Sequence, residues 1–207
     1  MKVAGASLLL SVMITLIIAA CVPQTEVVKL YDNSARASRT YERLLVISVV
    51  GDIGTRRRLE ELISGHLETA NVTAIAGYTE TGLKTEMLQD EIDAAARNAN
   101  ADAILITHIV SVDTRLDIDT GRTDILSECR GGDPVDYFLY DHRELKEPDT
   151  VKIAHTVVAV SNLYDASDGE RLWTIQSTCF EKASMDEVLQ EEAKAIVRQL
   201  QIDKLVG

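Results

Sequence analysis

Leu44-Leu45-Val46-Ile47-Ser48-Val49-Val50 is an apolar run interrupted by a single serine, and Gly51-Asp52-Ile53-Gly54 ends it. A strand wet on one side alternates apolar and polar residues, whereas a run apolar at nearly every position needs cover on both faces. The stretch therefore predicts an inner strand of a sheet with helices on either side. Downstream, Thr55 can cap a helix in which Leu59, Leu62, Ile63, His66 and Leu67 recur at the spacing of one face. Val72 to Ala76 reads as a second strand. A second helix runs from about Thr85 to Asn98, with Leu88, Ile92, Ala95 and Ala99 on one stripe, and Ala103 to Val112 is a third strand. Strand, helix, strand, helix, strand implies right-handed crossovers and a parallel core.

After the third strand the pattern changes. Val151 to Tyr164 and Glu170 to Phe180 are β-rich runs joined by Asp165-Ala166-Ser167-Asp168-Gly169, which reads as an antiparallel hairpin. Ser184-Met185-Asp186-Glu187 is a capping box ahead of Val188, Leu189, Ala193, Ile196, Val197 and Leu200 on one helical face. The expected fold is α/β with α+β character at its C-terminal end. Its mixed sheet has about five strands, three parallel and then the hairpin, flanked by helices. An insert at about 117–149, too long for a plain turn, separates the two halves. Within it Tyr137, Phe138 and Tyr140 form an aromatic stretch with two readings, a partner-contact strand or an extra strand packed on its own sheet.

Working back towards the N-terminus, Met1-Lys2 precedes an uncharged, mostly apolar run from Val3 to Ala20. This is the layout of a secretory signal, and its length also suits a signal anchor. Ile18-Ala19-Ala20-Cys21 resembles the bacterial lipobox, in which cleavage occurs just before the cysteine and the thiol is acylated. That resemblance implies a signal peptide over 1–20, a lipidated Cys21 with a tether over 21–43, and a single periplasmic domain over 44–207. Several acyl chains anchor stably where one is marginal. Position 22 is Val rather than the Asp that marks inner-membrane retention in enteric bacteria, so the expected address is the outer membrane. With Cys21 acylated, Cys129 and Cys179 remain, either as one disulfide, which export permits, or as two free thiols. A bridge closing that loop would contribute roughly 4 kcal/mol on the chain-entropy account.

The 207 residues carry 33 acidic against 21 basic side chains, a net charge of −12, which excludes the broad cationic surface that nucleic acids require. The turn Gly51, Gly54, Thr55, Arg56 and Arg57 is the candidate anion site, because a helix start offers free N–H groups and the arginines add charge. Its structural alternative is a helix cap by Asp52 or Thr55 with the arginines paired to Glu60 and Glu61. The pattern matches neither a dinucleotide fingerprint nor a P-loop. Asp113, Asp117, Asp119, Asp124 and Glu128 fail the calcium-loop register, since Gly121 and Arg122 stand where an oxygen ligand and the turn glycine belong. His66, His108, His142 and His155 lack metal-ligand spacing, and neither remaining cysteine belongs to a C-x-x-C pair. No G-x-S-x-G or S-x-x-K motif supplies a nucleophile, and the adjacent acid pairs Asp90-Glu91 and Glu191-Glu192 diverge on their helices. Neither cofactor, metal nor enzymatic activity is expected.

The lipobox, LLVISVVGD with its Arg-rich helix start, NADAILITHIVSVDTR and LYDASDGERLW together resemble a family of bacterial envelope lipoproteins. Their α/β domain is similar to the N-terminal domain of TolB and to the curli secretion lipoprotein CsgG. The likeness covers about residues 40–200 and implies fold and compartment rather than chemistry. The expected function is a non-enzymatic interaction or assembly module, held by its lipid at the membrane beside an envelope protein partner. The alternative is a lipoprotein that binds a small anion or other small ligand. The sequence leaves the oligomeric state open.

Overall fold

The computed structural model describes residues 25–33, 40–84, 86–119 and 150–207. In chain order the elements are β1 (Thr25–Asp32), β2 (Arg43–Val49), α1 (Ile53–Thr69), β3 (Thr73–Ala76), α2 (Gly77–Thr81), α3 (Gln89–Asn98), β4 (Ala103–Asp119), β5 (Thr150–Asp165), β6 (Arg171–Lys182) and α4 (Met185–Ile202). The fold is α/β. Six strands make one mixed sheet in the order β1-β6-β5-β4-β2-β3, with β3, β2 and β4 parallel and the others antiparallel to their neighbours.

The doubly apolar run is an inner strand covered on both faces. Leu44 and Val46 point into the main core with Leu59, Ile63 and Leu67 of α1, Leu189, Ile196 and Leu200 of α4, and the fully buried Trp173. Leu45 and Ile47 point the other way, against Ala95 and Ala96 of α3 and Ile104. α1 and α4 thus share one face and α3 takes the other. Asp52 caps α1, and Ser184 caps α4 by accepting the N–H of Glu187 at 3.3 Å.

Four expectations need correcting. The tether proposed for 21–43 includes a sixth strand, because Thr25–Asp32 pairs antiparallel with β6 along the sheet edge. Its short alternating pattern holds few apolar residues, and pairing supplies the rest of its stability. α3 begins at Gln89 rather than near Thr85, leaving Leu88 outside the buried stripe and 73% exposed. Glu91 accepts the Leu88 N–H at 3.1 Å, which places the helix start there. A short helix, α2, follows β3 directly. Finally, β4 runs on to Asp119 rather than ending near Val112, pairing with β5 as far as Thr150, so it takes the first residues of the proposed insert, whereas β5 keeps its expected bounds to within one residue.

Candidate functional site

The turn after β2 is occupied by the chain's own groups. The Asp52 carboxylate accepts the N–H of Thr55 at 2.6 Å and of Gly54 at 3.3 Å. Bonds from the Thr55 side chain and from these backbone donors hold its pKa below the usual carboxylate value. Arg57 donates to Glu61 at 2.8 Å and lies over the Tyr78 ring, while Arg58 donates to Asp186 of α4 at 2.8 Å. Arg57 and then Tyr78 lower the Glu61 pKa. The anion site proposed at Gly51, Gly54, Thr55, Arg56 and Arg57 therefore gives way to a capped helix with paired arginines. A visiting anion would have to displace a carboxylate already seated there.

Arg56 is buried, not a surface cation. β3 stops at Ala76, opposite Val46, so the Ser48 N–H two residues on has lost its strand neighbour. Glu60 fills that place, its Oε1 accepting Ser48 N at 2.9 Å and its Oε2 accepting Tyr78 N at 2.7 Å. Arg56 Nε donates to the same Oε1 at 2.9 Å, Nη2 to Thr81 Oγ1 at 2.9 Å, and Nη1 to the Lys84 carbonyl. Both ionised side chains are almost fully buried, so their cost of leaving water is offset by these bonds. At Gly77 a Cβ would lie 2.8 Å from the Val46 carbonyl oxygen, which only glycine avoids. The group bolts the end of the parallel strands to α2 and has no donor left pointing into an opening.

Under α4 lies a second buried group. Ser177 of β6 donates to Glu192 Oε2, whereas Glu192 Oε1 is buried without a partner. Burial raises the Glu192 pKa to about 7, against the opposing bond from Ser177. Beside it Cys179 is a free thiol in contact with Val157 and Val188, pushed up in pKa by burial. Trp173, Ile175 and Cys179 share the inward face of β6, as period two predicts. Near the other end of α4, Asp203 accepts from Trp173 Nε1 at 2.7 Å and from Lys29 of β1 at 2.6 Å. This bond ties the edge strand to the body of the domain.

Two surfaces remain uncovered. On the face opposite α4, Val28 of β1, Val158 and Val160 of β5, and Gln176 and Thr178 of β6 are exposed or half-buried, with no helix among the described residues lying over them. Between this area and α3 runs a shallow groove of about 310 Å³ beside Ile92, Ile104, Ile106 and Tyr164, without a nucleophile or a cluster of titratable groups. The second surface is the projecting part of β4 and β5. The last β2–β4 pair is Val49 with His108 and the last β5–β6 pair is His155 with Lys182, so beyond these rows the two strands have no further strand neighbour among the described residues and project as a ribbon. Val112, Leu116, Ile118, Val151 and Ile153 lie on its α4 side, each between 43% and 63% exposed, and Asp113, Arg115, Asp117 and Lys152 lie on the reverse. The alternation Val112-Asp113-Thr114-Arg115-Leu116-Asp117-Ile118-Asp119 was the signal for it.

Cys21, Cys129, Tyr137, Phe138, Tyr140 and His142 lie outside the described residues. Among the described residues no group of His, Cys, Asp and Glu could hold a metal ion, and no helix is long and apolar enough to cross a membrane. No protein-family model matches the sequence, and no curated protein matches it. Among solved structures, a point variant of PelC from Paraburkholderia phytofirmans, solved as a dodecamer, is similar at 12% identity and a TM-score of 0.51, over 86% of this chain and 98% of that one. A second PelC dodecamer gives 0.49 at 12% identity over 88% and 99%. Lipoprotein GNA1162 from Neisseria meningitidis gives 0.40 at 14% identity over 77% and 96%. The PelC likeness is one of fold.

Proposed function

We propose that this chain is a lipid-anchored, non-enzymatic assembly module of the bacterial envelope, attached through Cys21 to the outer membrane and built to associate with copies of itself and with an envelope partner. The observation that carries this reading is the uncovered sheet face of β1, β6 and β5. Three adjacent strands present Val28, Val158 and Val160 to solvent on one side, among Glu26, Gln176 and Thr178, while the Arg56–Glu60 and Trp173–Asp203 groups are engaged within the fold. An apolar sheet face without a covering layer is a place where other macromolecules make contact. PelC assembles as a dodecamer, and self-association extends that behaviour to this chain. Anchoring adds to it, because tethering copies to one surface raises their effective concentration and lets weak contacts act. The resemblance to envelope lipoproteins with TolB-like and CsgG-like domains points to the same compartment.

Sedimentation velocity of the purified, lipidated chain in mild detergent tests the reading. The wild type should sediment as a defined oligomer, and Val28→Lys combined with Val160→Lys should reduce it to a monomer with an unchanged circular dichroism spectrum. A monodisperse wild-type monomer at all concentrations defeats self-association.

A further inference from the structure

We infer that the apolar face of the β4–β5 ribbon is a membrane-docking surface, occupied by the lipid bilayer to which the chain is anchored. This rests on the anchoring reading and goes beyond it, because it gives the domain itself a lipid contact and a fixed orientation. The argument begins with strand register. Thr25 pairs with Cys179, Cys179 with Val157 and Val157 with Val112, so the start of β1 lies two residues short of the row, Thr114 with His155 and Lys182, where the ribbon leaves the sheet. β1 runs away from the ribbon, and the chain preceding it therefore leaves the sheet at the ribbon's end. Cys21 is four residues before Thr25, which is at most about 14 Å of chain. From Val112 to Leu116 a strand also advances by about 13 Å. A lipidated Cys21 is thus restricted to the neighbourhood of the ribbon, and the bilayer it enters is the nearest apolar medium.

The chemistry of the face fits hydrocarbon better than a protein. Its exposed apolar residues are Val112, Leu116, Ile118, Val151 and Ile153, all aliphatic. Protein interfaces concentrate their energy in Trp, Tyr and Arg side chains, and none of the described residues of this face is one of these. Thr114 and His155, their side chains hydrogen-bonded to each other at 3.0 Å, interrupt this face near its root, while Asp113, Arg115, Asp117 and Lys152 lie on the reverse, so the outer part of the ribbon is sided as in an interfacial amphipathic element. Backbone edges set the depth. Beyond the last β2 and β6 pairs each ribbon strand has an unpaired edge among the described residues, and an open edge is not tolerated inside hydrocarbon. The ribbon therefore lies in the interface with its apolar face down and its edges at headgroup level, rather than spanning.

Bromolipid quenching of tryptophan tests this on the full lipidated chain reconstituted into vesicles. The native Trp173 is fully buried, which keeps it out of reach of lipid and makes it a constant background. Leu116→Trp and Ile153→Trp should show blue-shifted emission that brominated acyl chains quench, whereas Arg115→Trp and Lys152→Trp should stay red-shifted and unquenched. Vesicle-bound protein with no quenching at positions 116 and 153 overturns the inference. Equal quenching on both faces also overturns it. A blue shift at 116 that lipid does not quench and dilution abolishes assigns the face to a second copy instead. Mass spectrometry of the same preparation reports the acyl groups on Cys21, and their absence defeats the anchoring reading and this inference with it.

Discussion

Replacing Glu192 by glutamine isolates the electrostatic cost of one buried carboxyl. Glu192 is 1% exposed, accepts one bond from Ser177 on Oε2 and leaves Oε1 unpartnered, and its pKa rises from 4.5 to about 7 on burial. The sign follows from linkage. Below about pH 4.5 the group is protonated in both folded and unfolded chains and costs nothing. Between there and pH 7 the folded chain holds a proton that the unfolded chain has released, so stability falls as pH rises; above 7 both are ionised and the loss is complete. A displacement of this size is worth about 3 kcal/mol. Glutamine keeps the volume and cannot ionise. Its stability should equal that of the wild type near pH 4 and exceed it by about 3 kcal/mol near pH 8. Urea denaturation followed by the emission of Trp173 reads both chains across that range, and titrating groups that do not sense the Glu192 charge cancel in the difference; the neighbouring Cys179 thiol does sense it. A difference independent of pH, or a glutamine variant less stable at pH 8, refutes the reasoning.

Glu60→Gln removes the charge that pairs Arg56 and, by leaving a buried guanidinium uncompensated, should cost about 3–5 kcal/mol in the same denaturation assay; a loss below about 1 kcal/mol would mean that the pair is not buried in solution. Gly77→Ala drives a Cβ to within 2.8 Å of the Val46 carbonyl oxygen and should destabilise by about 1–3 kcal/mol, whereas Gly65→Ala, with nothing within 4 Å, should not destabilise. Arg57→Gln breaks an exposed pair and should change stability by less than about 1 kcal/mol. Neither this variant nor the wild type should gain melting temperature from inorganic phosphate, and a phosphate-dependent rise lost in the variant would restore an anion site at the turn. The Cys179 thiol should react with Ellman's reagent only after denaturation, and rapid reaction in the native state would show that α4 does not cover it.

The parallel half of the fold was readable because its signals are local. The run from Leu44 to Val50 needs cover on both faces and receives it, and Leu59, Ile63 and Leu67 meet Val46 in one core. The hairpin turn at 165–169 and the Ser184 cap likewise depend on residues a few positions apart. β1 was not readable, since its place depends on pairing with β6, about 150 residues away, and on the bond from Lys29 to Asp203. The pairing of Arg56 with Glu60 was visible as an i, i+4 spacing, but its burial was not. Burial there arises from β3 ending early and exposing the Ser48 N–H, a property of the assembled sheet. The ribbon was written in an alternation from Val112 to Asp119 broken only at Thr114, but was hidden by reading the Asp-rich segment as the start of a loop. Alternation alone could not say that neither β2 nor β6 would accompany it.

In-cell crosslinking of the tagged, lipidated chain, with mass spectrometry of what co-purifies and Cys21→Ala as the control, addresses the central claim most directly. The account predicts crosslinks between copies and to one reproducible envelope protein, both lost when the acylated cysteine is replaced. A chain that is acylated and correctly placed yet crosslinks to neither itself nor a partner, or one whose crosslinks are indifferent to Cys21, would contradict it.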